Sequence, residues 1–158
     1  MEIVAVPYDD PVAVALVAQL HRDLDERYGA EDDGGEGWLA EVTREKVRPP
    51  DGVFLVARVD GEPVGCGALK RLDATTGEIK RMFTAPSGRR RGVGRALLAR
   101  LEDEARALGY ETLKLETGEE QPEAVAMYES SGWTRIPPYG RYSDDPRSIC
   151  FTKSLART

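Results

Sequence analysis

The sequence predicts an α/β (α+β) fold: one mixed, mostly antiparallel sheet with about four helices on its faces. Three observations carry that expectation. Two apolar segments, Val53–Val59 and Pro63–Leu72, flank Asp60-Gly61, a dipeptide that favours a tight hairpin turn. A long segment then places Val93, Leu97, Leu101, Ala105 and Leu108 on one helical face. Around that helix the pattern becomes strand, helix, strand, which requires a crossover and adds a parallel pair to the hairpins.

The elements follow in order. Ile3–Val6 reads as a short strand closed by Pro7. From Pro11, the spacing of Val12, Leu16, Leu20 and Leu24 predicts an amphipathic helix that fades near Gly29. Glu31-Asp32-Asp33-Gly34-Gly35-Glu36-Gly37 is acidic and glycine-rich, so a loop is expected. A second, short helix is expected over Trp38–Val47, ended by Pro49-Pro50-Asp51-Gly52. Val53–Val59 is too uniformly apolar for a half-exposed strand and should be buried on both faces. Pro63–Leu72 returns from the hairpin, Glu78–Thr84 forms a third strand, and Pro86-Ser87-Gly88 breaks it. Gly109 is placed to stop the long helix. Thr112–Thr117 is a strand, Pro122 suits the first turn of a helix ending at Gly132, and strands around Trp133–Ile136 and Ser148–Lys153 complete the chain.

The 158 residues fit a single domain, 1–158, with 41% apolar and 32% charged residues, the balance of a globular chain. No apolar run approaches the roughly 20 residues of a membrane span. The start, Met1-Glu2-Ile3-Val4-Ala5-Val6-Pro7, lacks the pattern of a secretory signal, so a cytoplasmic protein without a membrane partner is expected. Cys66 and Cys150 have no metal-type spacing and read as small buried hydrophobes. A net charge of −6 argues against nucleic acid as a partner. Yet Arg89, Arg90, Arg91, Arg95 and Arg100 fall within a dozen positions, a local positive site suited to a compact anion.

That site lies where a strand ends at Thr84 and a helix opens on glycines. The first N–H groups of a helix have no internal partners and carry partial positive charge, so they attract phosphate. Gly92 and Gly94 let a ligand approach the backbone, and the arginines add charge-assisted bonds. A nucleoside-triphosphate loop would need Lys followed by Ser or Thr where Arg95-Ala96 stands. A dinucleotide loop would need Gly where Leu97 stands. What remains is Arg/Gln-x-x-Gly-x-Gly/Ala, matched by Arg89, Gly92 and Gly94.

Here, from about Val53 to the C-terminus, the chain resembles the GNAT superfamily of acyl-CoA N-acyltransferases. The six-residue pattern gains weight from its setting: a preceding strand with Pro86, an apolar helix, a strand, then a helix with Ala124 and Tyr128 before Gly132-Trp133. The resemblance implies a sheet splayed in its middle. It implies acetyl-CoA as cosubstrate, with Met82, Phe83 and Thr84 lining a V-shaped slot and Arg89, Arg90, Arg91, Gly92, Val93, Gly94 and Arg95 holding the pyrophosphate. Gln121 stands where the family usually has a cofactor-touching Asn. Tyr128 matches a tyrosine near the cofactor sulfur and is the expected general acid; the competing reading is a core aromatic. Glu78, on the strand bordering the slot, is the expected base for the acceptor amine, against the alternative of a solvated strand-end carboxylate. A backbone N–H at Met82 or Phe83 would polarise the acetyl carbonyl.

The implied function is N-acetyl transfer from acetyl-CoA to a primary amine by direct attack in a ternary complex. The alternative is a non-catalytic acyl-CoA-binding sensor or interaction module. A covalent route through Cys66 or Cys150 lacks an obvious base, since His21 is the sole histidine and reads as an exposed or satisfied helix residue rather than a catalyst. Lys80-Arg81 faces solvent or steers phosphate on this reading, with no role assigned. The acceptor, a small-molecule or peptide amine, would sit near the first helices and last strands. Asp23, Asp25, Glu26, Glu31, Asp32, Asp33 and Glu36 form either an acidic rim that draws it in or a solvated surface. Tyr139, Arg141 and Tyr142 could shape its pocket, Arg141 by pairing with a carboxylate. The resemblance also admits a homodimer paired through the last strands or helix faces.

Overall fold

The computed structural model describes residues 1–29 and 35–155. In chain order these form β1 (Glu2–Ala5), α1 (Pro11–Tyr28), α2 (Gly35–Glu41), β2 (Val53–Val59), β3 (Glu62–Arg71), β4 (Thr76–Thr84), α3 (Val93–Ala107), β5 (Thr112–Gly118), α4 (Pro122–Ser130), β6 (Thr134–Ile136) and β7 (Ser148–Ser154). One seven-stranded sheet runs β1-β2-β3-β4-β5-β7-β6. Its pairs are antiparallel except β4–β5, the parallel pair that the crossover through α3 creates.

β2 is buried on both faces, and its residues alternate between two cores. Val53, Leu55 and Ala57 point to the side of α3, where they meet Leu97, Leu98 and Leu101. Phe54 and Val56 point to the side of α1, with Ala13, Leu16 and Leu20. Burying each such Val or Leu contributes about 1.5–3 kcal/mol, which explains why α1 and α3 stay pinned to opposite faces. α1 starts where the Asp10 carboxylate accepts a hydrogen bond from the Val12 N–H at 2.9 Å, with Pro11 in its first turn. α3 stops at Gly109, whose φ of 91° no other residue adopts cheaply.

Two local expectations need correction. The second helix covers Gly35–Glu41 rather than Trp38–Val47. Val42 and Thr43 are β-branched and poor helix formers, the Lys46 ammonium caps the Ala40 carbonyl at 2.8 Å, and turns replace the helix from there. β4 begins at Thr76, two residues early, because the Asp73 carboxylate accepts from the Thr75 and Thr76 N–H groups and turns the chain there. The acidic-rim residues Glu31, Asp32 and Asp33, and the side chain of Glu36, lie outside the described residues.

The feature that positions the site is a bulge in β4. Cys66 pairs with Phe83 and Ala68 with Lys80, so Arg81 and Met82 both stand opposite Gly67. Arg81 takes a left-handed φ of 58°, and the strand twists away from its neighbour. β4 and β5 pair only from Thr76–Thr112 to Ile79–Leu115. Beyond that point β5 continues against β7 as far as Gly118–Ser148, while β4 turns off toward Thr84. The two strand edges therefore splay into a slot whose main-chain groups lack a partner strand, as the resemblance implied.

Candidate active site

Two cavities open on the slot and meet at Leu20, Met82, Gln121 and Tyr128, which line both. They come from three elements: Leu20 from α1, Met82 from β4, and Gln121 and Tyr128 from the N-cap and body of α4.

The first cavity, about 560 Å³, is walled by Met82, Phe83 and Thr84 of β4, by Gly88, Arg89, Arg90, Gly92, Val93, Gly94 and Arg95 of the loop and α3, and by Ala124 and Met127 of α4. Every residue expected to hold the cosubstrate lines it except Arg91, which is exposed. The loop is set by Arg90 and Gly92 in left-handed conformations, with φ of 64° and 76°. Gly92 is the N-cap of α3 and supplies no side-chain cap, so the first N–H groups of the helix remain directed outward. Gly94 keeps the groove open: a Cβ there would stand 3.1 Å from Met127 Sδ, which would have to shift slightly. An apolar groove that ends on a helix N-terminus ringed by arginines fits a pantetheine arm and its pyrophosphate. Arg89 pairs with Asp23 of α1 at 3.8 Å, and Asp23 also holds Arg27 at 3.0 Å.

The second cavity, about 240 Å³, lies on the α1 side. Its wall includes His21, Tyr28, Trp38, Glu41, Lys80, Arg81, Glu116, Arg141, Tyr142, Arg147 and Ser148. The Lys80-Arg81 pair corrects the solvent-facing expectation. Both side chains are buried, because the bulge turns them under α2. Arg81 lies 3.5 Å over the Trp38 ring, and Lys80 pairs with Glu41 at 2.8 Å. His21 of α1 stacks on Trp38 with ring centroids 4.9 Å apart and forms part of this wall. Burial pushes the Glu41 carboxyl up, but Lys80, Arg141 and Tyr142 outweigh it and hold the group below the usual carboxylate range.

Tyr128 is buried beside Trp133 and Phe151, with ring centroids 6.0 and 5.7 Å away. Its hydroxyl has no hydrogen-bond partner among the described residues, and it lines both cavities. Burial first, and the nearby Glu116 carboxylate second, raise its pKa well above the ordinary phenol value. Gln121 sits at the N-terminus of α4, where its Oε1 accepts a bond from the Tyr28 hydroxyl at 3.3 Å. That hydroxyl also accepts from the Glu120 N–H, and it lies so close to Gly118 that any Cβ there would overlap it.

Glu78 lines neither cavity. Its carboxylate is buried, accepts the Tyr139 hydroxyl and pairs with Lys70 at 3.7 Å. Tyr139 does not line the second cavity, while Arg141 and Tyr142 do. The residue that sequence reasoning missed is Glu116. It lies on β5 just past the last β4 pair, lines the second cavity, and accepts a bond from the Ser148 hydroxyl at 2.9 Å. Burial raises its pKa to about 7. A signal existed: an acid at the C-terminal end of a parallel strand, where open α/β sheets place ligands. Both cysteines are buried and free; burial pushes the Cys66 thiol up to about 12.

The comparisons agree with this geometry. Residues 17–133 match the model of the Acetyltransferase (GNAT) family. The chain is 41% identical over 150 residues to the IAA acetyltransferase of Azospirillum brasilense, covering 94% of each. It superposes with a TM-score of 0.78 and 31% identity on a Klebsiella pneumoniae protein assigned as an acyl-CoA N-acyltransferase, over 98% of this chain and 97% of that one. A GNAT acetyltransferase of Elizabethkingia anophelis with acetyl-CoA bound shares the fold, with a TM-score of 0.68 at 20% identity and 97% of each chain covered. A bulged β4 splayed from β5, a glycine-arginine loop at the head of α3, and a family match across three quarters of the chain make this protein a member of the GNAT family, an acetyl-CoA-dependent N-acetyltransferase.

Proposed function

We propose that the protein moves the acetyl group to a primary amine by direct attack in a ternary complex, with Glu116 as the base and Tyr128 as the acid. The observation that carries this reading is that Glu116 of β5 and Tyr128 of α4 line the same cavity, one a carboxylate with a pKa of about 7, the other a phenol that burial keeps protonated. An acetyl thioester bound there supplies an electrophilic carbonyl and a thiolate leaving group.

The residues then have defined tasks. Arg89, Arg90, Arg95 and the N–H groups at the head of α3 hold the pyrophosphate. The unpaired β4 edge at Met82–Thr84 offers main-chain hydrogen bonds to the pantetheine, and an N–H at Met82 or Phe83 steadies charge on the acetyl oxygen. Glu116 takes a proton from the acceptor ammonium, directly or through water, and so frees the lone pair that attacks the acetyl carbonyl; the nitrogen sheds its second proton as the tetrahedral adduct collapses, which balances the proton that Tyr128 gives up. Tyr128 gives its proton to the sulfur as the C–S bond breaks. Its unpartnered hydroxyl has no competing acceptor among the described residues, which supports the donor role. Glu78, tied to Tyr139 and Lys70, is a structural carboxylate in this scheme.

Initial-rate kinetics test the direct route. Thiol release measured against both acetyl-CoA and an amine acceptor is expected to give intersecting double-reciprocal lines, and to fall sharply in Glu116→Gln and Tyr128→Phe. Parallel lines would replace direct attack with a covalent route.

A further inference from the structure

Among the described residues that line the acceptor cavity, cations outnumber carboxylates: Lys80, Arg81, Arg141 and Arg147 against Glu41, Glu116 and Asp145. Three of the cations converge on one carboxylate: Glu41 pairs with Lys80 at 2.8 Å, with Arg141 Nε at 2.9 Å and with Arg81 at 4.0 Å. Glu78 adds no balance, because Lys70 already pairs with it. Lys80 and Arg81 are largely removed from water, where uncompensated charge is costly. Arg141 is different. Its side chain is 42% exposed, only its Nε edge is committed to Glu41, and its terminal nitrogens hydrogen-bond nothing among the described residues. A guanidinium fork held by one edge with the other open to a cavity is suited to a planar carboxylate.

Resting on the amine-acetylation reading above, we propose that the acceptor is a small primary amine that also bears a carboxylate, an amino-acid-like molecule whose carboxylate is taken by the terminal nitrogens of Arg141. The cavity volume of about 240 Å³ suits a compact metabolite, being below the range of drug-sized ligands. The charge pattern assists the chemistry as well. A positive surrounding disfavours the ammonium form of the acceptor, so it releases its proton to Glu116 more readily. The same field works against polyamines and other polycations, which would bring further positive charge to a site already in excess.

The test uses the wild-type enzyme at saturating acetyl-CoA, following thiol release. A panel of amino acids is assayed, each beside its own carboxamide and its decarboxylated amine, together with an aliphatic diamine. For the preferred side chain, kcat/KM with the free carboxylate is expected to exceed that of the carboxamide by about tenfold or more, the weight of a charge-assisted bond. In Arg141→Met that ratio is expected to collapse toward one through a rise in KM for the carboxylate acceptor, and Arg141→Lys should restore it in part. Equal or better turnover of the carboxamide, the decarboxylated amine or the diamine would overturn the proposal while leaving amine acetylation in place. No acetylation of any amine would instead overturn the reading on which it rests. Because the decisive ratio is measured on the wild type, a poorly folding variant does not remove the test.

Discussion

Ser148 Oγ lies 2.9 Å from Glu116 Oε2, and this bond restrains a pKa that burial has raised from an ordinary 4.5 to about 7. In the proposed mechanism Glu116 acts as the base when ionised, so kcat/KM is expected to rise with pH and level off above about 7. Removing the bond in Ser148→Ala takes away a contact that favours the ionised form, so the midpoint should move up. A pH–rate profile of the two proteins checks the direction, and an unmoved midpoint would count against Glu116 as the titrating group.

The same shift bears on stability. A carboxyl whose folded pKa exceeds its unfolded value costs the fold nothing below pH 4.5, progressively more between 4.5 and 7, and a constant amount above. Glu116→Gln removes that cost. It is expected to be more stable than wild type by at most about 3 kcal/mol at pH 8, with the gain fading as the pH falls to 4.5. Denaturant unfolding at the two pH values measures this, alongside a loss of activity of about a hundredfold.

Tyr128→Phe deletes a hydroxyl that has no partner among the described residues, while the ring keeps its contacts with Trp133 and Phe151. Stability should change by less than about 1 kcal/mol. Turnover should fall by about tenfold or more with little change in acetyl-CoA affinity, because the lost proton matters only as the C–S bond breaks. Thermal melts and calorimetric binding separate the two effects.

Gly92 and Gly94 should fail differently. Gly92 has open space around it but a φ of 76°, so Gly92→Ala is expected to lose about 1–2 kcal/mol of stability from backbone strain. Gly94 has helical geometry but a Cβ would press on Met127 across the cofactor groove. Gly94→Ala should keep its stability, since Met127 can yield, and lose acetyl-CoA affinity as that side chain moves into the groove.

Arg89 is shared between Asp23 and the phosphate loop. The pair is partly exposed and worth little to the fold, under about 1 kcal/mol. Arg89→Ala should therefore leave the melting temperature almost unchanged, yet weaken acetyl-CoA binding by about tenfold and flatten its salt dependence. Binding isotherms at two ionic strengths test both parts.

Much of this protein was determined at the level of sequence. Asp60-Gly61 set the β2–β3 hairpin, the four-residue spacing of Leu16, Leu20 and Leu24 set α1, and the stretch from Arg89 to Gly94 announced an anion-binding helix start. These are local properties, since turn preference, helical period and the orphan N–H groups of a helix depend on neighbours within a few residues. What only the tertiary structure decided was which acid lines the open cavity. Glu78 and Glu116 sit on adjacent strands in similar strand contexts, and nothing local separates them. The bulge at Arg81 does: the β4–β5 ladder ends at Ile79–Leu115, so Glu78 remains inside the closed part of the sheet with Tyr139 and Lys70, and Glu116 falls just beyond, in the open slot. The excess positive charge around Glu41 has the same origin. Its cations come from the bulge and from the loop before β7, some sixty residues apart, and meet only because the sheet brings them together.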